Sequence, residues 1–572
     1  MTTASPTRTV LVLGHDSRAF LAIIRSLGRA GLNVHVGWHR PDSVALRSRY
    51  VRKRCALPPF HESSDEWLGA LLELLQRERY DLVFPCNDAA MTAFHRHRDA
   101  LGAHARLCIP DTRSFEVLFD KIRTNELARA QGLTLPAERV VASREEAAGA
   151  IEALGLPIVL KPRQSYNPEN PDEKLMVWKA YTREVFDRAL ASLLRAGPVT
   201  LQRNFVGVGV GVEVLMRDGE PLLIFQHERV HEPLYGGGSS YRRSVALDPR
   251  LVDETRRLLG ALRYTGVAMA EFKLNPRTRE FVFIEVNARF WGSLPLAVAA
   301  GANFPLGAYQ LLVEGQVRVP SRGRVGIYCR NWYHDLAWIR ANVRADKRDP
   351  TLATRPLWRV LADRVRNQLL LRERSDTFAW DDPAPALAEA RQIASMLAKQ
   401  TSNALHRRWL SSPIGRRRES LRAARVLKSA RSVLFVCKGN ICRSPFAEVQ
   451  LRALQPTITV ASAGYYPRSG RPSPAHAVTA AAEHGLDLSA HRSQRLTREL
   501  VDQYHAVCVF DHENLMTVRS EFPDAAGKIV LLGALDGGGL FISDPWGGEL
   551  PRFRACYDRI RAALTRWPAA SG

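Results

Sequence analysis

The segment SVLFVCKGNICRSPFAE, residues 432–448, constrains this chain more than any other. An apolar run (433–436) reads as a strand and ends in Cys437. After a loop of five residues, Arg443-Ser444-Pro445 opens a helical pattern. A strand that turns through a short loop into a helix leaves successive backbone N–H groups pointing inward, and the helix N-terminus adds partial positive charge. That is a cradle for an anion. The Arg443 guanidinium can grip two phosphate oxygens at once, and the same positive surroundings favour Cys437 as a thiolate, the form that attacks. Within the loop Lys438, Gly439, Asn440, Ile441 and Cys442, the glycine lets backbone approach a ligand and Asn440 tolerates a left-handed conformation. The bland reading is a core cysteine with a surface arginine; Cys, Gly, Asn, Arg, Ser and Pro at these offsets argue against it.

A departing ester oxygen also needs a proton. Asp544, in FISDPWGG, follows an apolar run and precedes Pro545, which stiffens its loop, so it is the candidate general acid. The whole set resembles the low-molecular-weight protein tyrosine phosphatase family, whose loop reads C-x-G-N-x-C-R-S-P and whose acid sits in a late Asp-Pro pair. The resemblance runs over residues 431–567 and takes in SAG (462–464) and HRSQRLT (491–497). It implies a Rossmann-like parallel sheet and a phosphocysteine intermediate on Cys437. It also implies phosphate binding by Arg443, support of the thiolate by Ser444, and Asp544 as acid and later base. Family members commonly carry Tyr after the Asp-Pro pair, whereas this chain has Trp546, so the ring facing an aryl group differs. Cys442 either packs or pairs with Cys437 as a reversible oxidation cap.

The first half of the chain reads differently. TVLVLG (9–14), a helical pattern over 17–31 and NVHVGW (33–38) make a β-α-β opening. YDLVFPCND (80–88) and RLCIPD (106–111) read as further strands of the same parallel sheet, giving a small α/β domain over 1–115. From 116 to 320 the strands PIVLKP (157–162), VTLQRNFVG (199–207), VGVEVLMRDGEPLLIFQHERV (210–230) and VAMAEFKLNPRTREFVFIEVNAR (267–289) suggest antiparallel hairpins among helices, an α+β unit. GVGVGVE (207–213) is followed by no helix and reads as a glycine-tolerant strand, not a dinucleotide fingerprint. A turn centred near Thr278 puts Glu271 opposite Glu285, with Asn287 and Arg289 on the face of Glu285. Opposed carboxylates repel. They make sense around a divalent cation such as Mg²⁺, bound together with substrate phosphates that Arg289 also reaches; the alternative is a solvent-facing hairpin decorated with charge. Lys121 opens a helix, and Lys161 ends an apolar strand, where a lysine needs an anion.

Taken in order, FDK (119–121), VLKP (159–162), QRNFVG (202–207), HEPLYGGGSS (231–240) and EVNARFWG (285–292) resemble the ATP-grasp superfamily, in the branch near carbamoyl-phosphate synthase and biotin carboxylase. The resemblance implies ATP between two α+β lobes, with Lys121 and Lys161 on its phosphates. Gln202, Arg203, Asn204, Phe205 and Val206 would line the adenine hinge. Glu271, Glu285 and Asn287 would hold Mg²⁺, with Mn²⁺ as an alternative, and Arg289 would steady the transferred phosphoryl group. Enzymes of this kind activate a carboxylate as an acyl phosphate and pass it to an amine. Where many relatives carry a glycine-rich loop after VLKP, this chain reads RQSYNPENPDEK (163–174).

The expected fold class is therefore α/β and α+β multidomain: an ATP-grasp fold, then a Rossmann-like phosphatase domain over 431–572. At about 150 residues per domain, 572 residues make about four units. The fourth is 321–430, a basic helical extension and linker. The chain carries a net charge of +23, and residues 321–431 alone hold 24 Lys+Arg against 10 Asp+Glu, more than half the excess. Such charge favours anionic partners. Trp338, Trp358, Trp380 and Trp409 interleave with the arginines, which fits either a solvated extension or peripheral contact with an acidic membrane. No groove-reading or base-stacking motif argues for nucleic acid. The uncharged run 290–313 is long enough to cross a bilayer, but its glycines and prolines make it buried loop and helix. Eight scattered cysteines and an opening without a signal-peptide core point to the cytoplasm. The expected protein is bifunctional: a ligase for a small-molecule carboxylate and amine, and a phosphatase for phosphotyrosine or a small phosphate ester. The alternative is a regulatory tyrosine phosphatase whose first half is a nucleotide-binding sensor.

Overall fold

The aliphatic run TVLVL forms β1 (Thr9–Leu13), whose Val10 to Leu13 have no exposed surface, as a central parallel strand requires. The computed structural model describes residues 8–568, apart from 15–16, 38–42, 59–64, 168–169, 235–236, 348–351 and 353. Two compact units divide between Ile393 and Ala394. The first opens with a parallel sheet in which β1 lies between β2 (Asn33–Gly37) and β4 (Leu82–Pro85), with β3 (Val51–Cys55) outside β2. Strand β3 reads VRKRC, too charged for a hydrophobicity pattern to find. RLCIPD contributes only a single bridge, Leu107 to Val83.

A four-stranded antiparallel sheet follows, in the order β5 (Glu138–Val141), β10 (Val199–Arg203), β6 (Ile158–Pro162), β9 (Trp178–Ala180); the hairpin β7 (Tyr166–Asn167) and β8 (Asn170–Lys174) stands between β6 and β9 in the chain. Helices Arg144–Leu154 and Arg183–Leu193 cover it with Ala147, Ile151, Phe186 and Leu190. The larger sheet starts from β11 (Val208–Arg217) and β12 (Glu220–His231), joined by Asp218-Gly219. Both turn residues have positive φ (49° and 88°), the geometry that suits a two-residue hairpin. With β13 (Tyr241–Ser244), β14 (Gly266–Leu274), β15 (Phe281–Asn287), β16 (Tyr328–Arg330) and β17 (Glu373–Ser375), seven strands run in the order β15-β14-β11-β12-β13-β16-β17.

Strands β16 and β17 correct the expectation that 321–430 stands apart as an extension. Charge counted along the chain does not show pairing in space. Arg330, 2% exposed, donates to Glu373 Oε1 (2.8 Å), pairs with Asp335 and lies 3.7 Å above the Tyr241 ring. Arg242 pairs with Asp376, and neither side chain has exposed surface. Residues from 394 on belong to the second unit, where Leu410, Ala423 and Leu427 enter the core, the last two from the helix Pro413–Lys428. Among the described residues no single helix is long and apolar enough to cross a membrane; the bent pair Leu294–Ala300 and Phe304–Glu314 passes that test only jointly, and it is core, with Leu294, Leu296, Phe304 and Tyr309 buried.

In the second unit a parallel sheet runs in the order β19 (Thr459–Gly464), β18 (Ser432–Cys437), β20 (Ala506–Val509), β21 (Ile529–Leu531). Val433 to Val436 are fully buried between helices that include Arg443–Leu454 and Leu550–Thr565.

Removing one partner of a buried ion pair strands the other charge. Asp376→Ala is therefore expected to destabilise the first unit by roughly 3–5 kcal/mol, read as a lowered midpoint of urea unfolding; an unchanged midpoint contradicts this role of the pair.

Candidate functional site

Cys437 ends β18 at the carboxyl edge of the sheet, between β19 and β20, where the chain's winding reverses, the position at which open parallel sheets bind ligands. Its Sγ lies 3.1 Å from Ser444 Oγ and accepts the Asn440 N–H at 3.3 Å. Asn440 sits at φ +50°, and its amide is engaged on both sides. Nδ2 donates to Ser444 Oγ (3.0 Å) and Ser462 Oγ (2.8 Å), while Oδ1 accepts the Gln494 N–H (2.8 Å). Ser444 Oγ accepts from Asn440 and also lies 3.5 Å from Ala463 O, so its single proton can turn to that carbonyl or to Cys437 Sγ. His491 Nε2 reaches Asn440 O (2.7 Å) and Arg471 donates to Gly439 O (2.6 Å). A Cβ on Gly464 would meet Asn440 N at 2.8 Å and Lys438 O at 2.9 Å, so glycine there lets β19 approach the loop.

Arg443 opens the helix Arg443–Leu454 and is 1% exposed. Nη1 donates to Asp511 Oδ2 (2.5 Å) and Ile542 O (3.0 Å), and Nη2 lies 2.8 Å from Asp544 Oδ2. Its Nε is buried without a hydrogen-bond partner among the described residues, a donor the protein leaves unused. Burial opposes the charge, but Cys437, Asp544 and Asp511 outweigh it and raise the pKa. Asp544 is partly exposed and accepts the Trp546 N–H at 3.2 Å; the Trp546 side chain is exposed. Lys438 faces outward to Glu513 (3.2 Å), whereas Ile441 and Cys442 are buried, and burial pushes the Cys442 thiol pKa up. The arrangement can accept a phosphoryl group on sulfur and return a proton to the leaving oxygen.

In the first unit, the register of β14 and β15 places Glu271 opposite Glu285, and Asn287 Nδ2 bridges them at 3.2 and 3.5 Å. Burial works to raise both carboxyls. For Glu285, Lys121, Lys161 and Arg229 reverse that and hold the pKa low; Glu271 stays raised, its Arg229 partner opposed by the neighbouring Glu285. Lys161 is 5% exposed, donates to Ile284 O (3.1 Å), and is pushed down by burial and supported by Glu285. Lys121 donates to Ser165 Oγ (3.1 Å). These five residues converge. Arg289 pairs with Asp88 through Nε (2.5 Å) and Nη2 (2.9 Å), near enough for its charge to act on Glu285. The hinge residues lie where the chain passes from β10 in one sheet to β11 in the other. Gln202 is buried and committed to Glu138 Oε2 (2.8 Å), Arg203 reaches Ala153 O (3.4 Å), Asn204 and Phe205 are half-buried and Val206 is exposed.

Sequence reasoning missed Asp511, Asp88, Glu138 and above all Arg229, whose Nη2 lies 2.5 Å from Glu271 Oε2. One signal was available. A Cβ on Gly209 would strike Arg229 Cδ at 2.6 Å and one on Gly211 would strike His227 Cε1 at 2.3 Å, so the Gly-x-Gly spacing in β11 clears room for β12 side chains. Loop residues 168–169, between β7 and β8, lie outside the described residues.

Residues 432–570 match the family model described as low molecular weight phosphotyrosine protein phosphatase. Over 137 residues the chain is 36% identical to the "Probable low molecular weight protein-tyrosine-phosphatase EpsP" of Ralstonia nicotianae, covering 24% of this chain and 93% of that protein. It is 34% identical to the low molecular weight protein-tyrosine-phosphatase Etp of Escherichia coli over 24% of this chain and 91% of that one. A biotin carboxylase–ATP-analogue complex from Campylobacter jejuni is similar at TM-score 0.45 and 15% identity, over 56% of this chain and 74% of the other.

Asn440→Ala forfeits the loop's buried hydrogen bonds and puts alanine at positive φ. The expected loss is about 3 kcal/mol in the second unit, measured by thermal unfolding; an unchanged melting temperature would show that the loop holds its shape without this amide.

Proposed function

The chain belongs, through residues 432–570, to the low molecular weight phosphotyrosine protein phosphatase family, and from that premise we propose that one polypeptide joins a cysteine-dependent phosphatase to an ATP-dependent carboxylate–amine ligase. The observation that carries the phosphatase half is Cys437 Sγ held by Ser444 and Asn440 beside a buried Arg443 whose Nε has no hydrogen-bond partner among the described residues. Cys437 attacks phosphorus; the S–P bond forms as the P–O bond to the leaving group breaks, and Asp544 protonates the departing oxygen. Water then attacks phosphorus of the phosphocysteine while Asp544 takes its proton; the new P–O bond forms as the S–P bond breaks, inorganic phosphate leaves and the Cys437 thiolate is restored. Arg443 balances the charge on the equatorial oxygens through both steps. Phosphotyrosine is the favoured substrate class. Exposed Trp546 beside Asp544, and Tyr466, whose N–H donates to Lys438 O (2.9 Å), offer rings for an aryl group at the loop.

For the first unit, the reading is an ATP-grasp ligase. It is supported by the buried Lys161, the opposed Glu271 and Glu285, and the sequence motifs around them. Lys121 and Lys161 hold ATP phosphates, and Arg289, oriented by Asp88, steadies the phosphoryl group as it passes to a carboxylate and makes an acyl phosphate open to an amine. Two half-buried carboxylates joined by an amide offer the hard oxygen donors that Mg²⁺ takes. When bound there, it would neutralise charge on the phosphates. The protein is read as cytoplasmic, where ATP and a free thiol coexist.

Cys437→Ser is expected to reduce p-nitrophenyl phosphate hydrolysis by at least about a thousandfold, with the fold unchanged by circular dichroism; retained hydrolysis would end the phosphatase assignment for this loop. Removing divalent cations with EDTA is expected to abolish carboxylate- and amine-stimulated ADP release while leaving p-nitrophenyl phosphate hydrolysis intact, and Glu285→Gln should act likewise. ATP binding that no acceptor pair converts to ADP release would favour the sensor reading instead.

A further inference from the structure

We propose that the helix Leu357–Leu369 is a docking surface for an anionic phospholipid bilayer. The helix is mounted with its apolar face outward. Val360 and Asn367, on one side, are 5% and 1% exposed, and Asn367 Nδ2 donates to Tyr241 Oη (2.8 Å), fixing the helix to β13. Leu357, Trp358, Leu361, Val365 and Leu369 are 45%, 66%, 53%, 58% and 78% exposed. At 3.6 residues per turn these five fall, with Gln368 among them, within an arc of about 120° whose centre lies roughly 120–140° round the helix from Val360 and Asn367. Apolar residues exposed singly are ordinary; five along one stripe are not.

Charge complementarity identifies the occupant. Arg364 borders one edge of the arc, Arg366 and Arg359 lie beyond Ala362 on the other side, and Arg372 and Arg374 follow the helix. The helix's one acidic residue, Asp363, lies outside the stripe, 3.0 Å from Arg366 Nη2. An apolar stripe with guanidinium groups on both flanks matches a surface that is oily at the acyl boundary and anionic at the phosphates above it. A helix of 13 residues is too short to span a bilayer and lies in the plane of its interface.

The test is co-sedimentation of the full-length protein with vesicles of phosphatidylcholine alone, or of an equimolar mixture with phosphatidylglycerol. The protein is expected to pellet with the mixture and stay in solution with phosphatidylcholine alone. Arg359→Gln and Arg366→Gln should each weaken binding about fivefold, and Leu361→Asp with Val365→Asp should abolish it. Because these residues lie outside both sites, unchanged p-nitrophenyl phosphate hydrolysis and circular dichroism serve as the folding control. Failure to pellet with the mixture overturns the proposal, as does binding undiminished by these variants. So does a dimer, seen by light scattering, that Leu361→Asp with Val365→Asp dissociates, since that assigns the face to a second copy of the chain.

Discussion

Charge buried in a low-dielectric interior must be matched on the spot, and both candidate sites rest on that constraint. Moving an ion out of water costs several kcal/mol even after relaxation. Arg443 meets the demand by standing between Asp511 and Asp544, with sulfur close by. Glu271 and Glu285 meet it with Lys161, Lys121, Arg229 and a bridging amide. In each case the candidate groups are also the groups that hold one another in place. A side chain there cannot change charge without disturbing its neighbours.

Matching charges at this depth needs backbone that comes very close. Asn440 takes a left-handed conformation so that its amide can face Ser444, Ser462 and Gln494 at once. Gly464 lets β19 touch the loop, and Gly209 and Gly211 open the floor on which Arg229 and His227 lie. The absence of side chains at these points is what allows the charged ones nearby to converge.

The segment 328–376 shows the same constraint inverted. Its arginine at 330 and aspartates at 335 and 376 are inside, paired, while leucines, a valine and a tryptophan of the helix Leu357–Leu369 are outside. Net charge along this stretch, read linearly, gave no hint of that division. The buried pairs lock β16 and β17 into the sheet, and the helix is left to show its apolar side.

What could be read along the chain was local. Cys437, Arg443, Ser444 and the loop between them are contiguous, and a strand leading to a helix through five residues positions them with little help from elsewhere. The opposition of Glu271 and Glu285 followed from period-two alternation about a single turn. Partners far apart in the chain were illegible: Asp511 to Arg443, Arg229 to Glu271, Asp88 to Arg289 and Asp376 to Arg242 are joined only when separate strands and loops pack. Alternation fixes which face a residue occupies within its own hairpin. Which opposite charge that face meets depends on the order of strands in the sheet, and burial then makes the meeting obligatory.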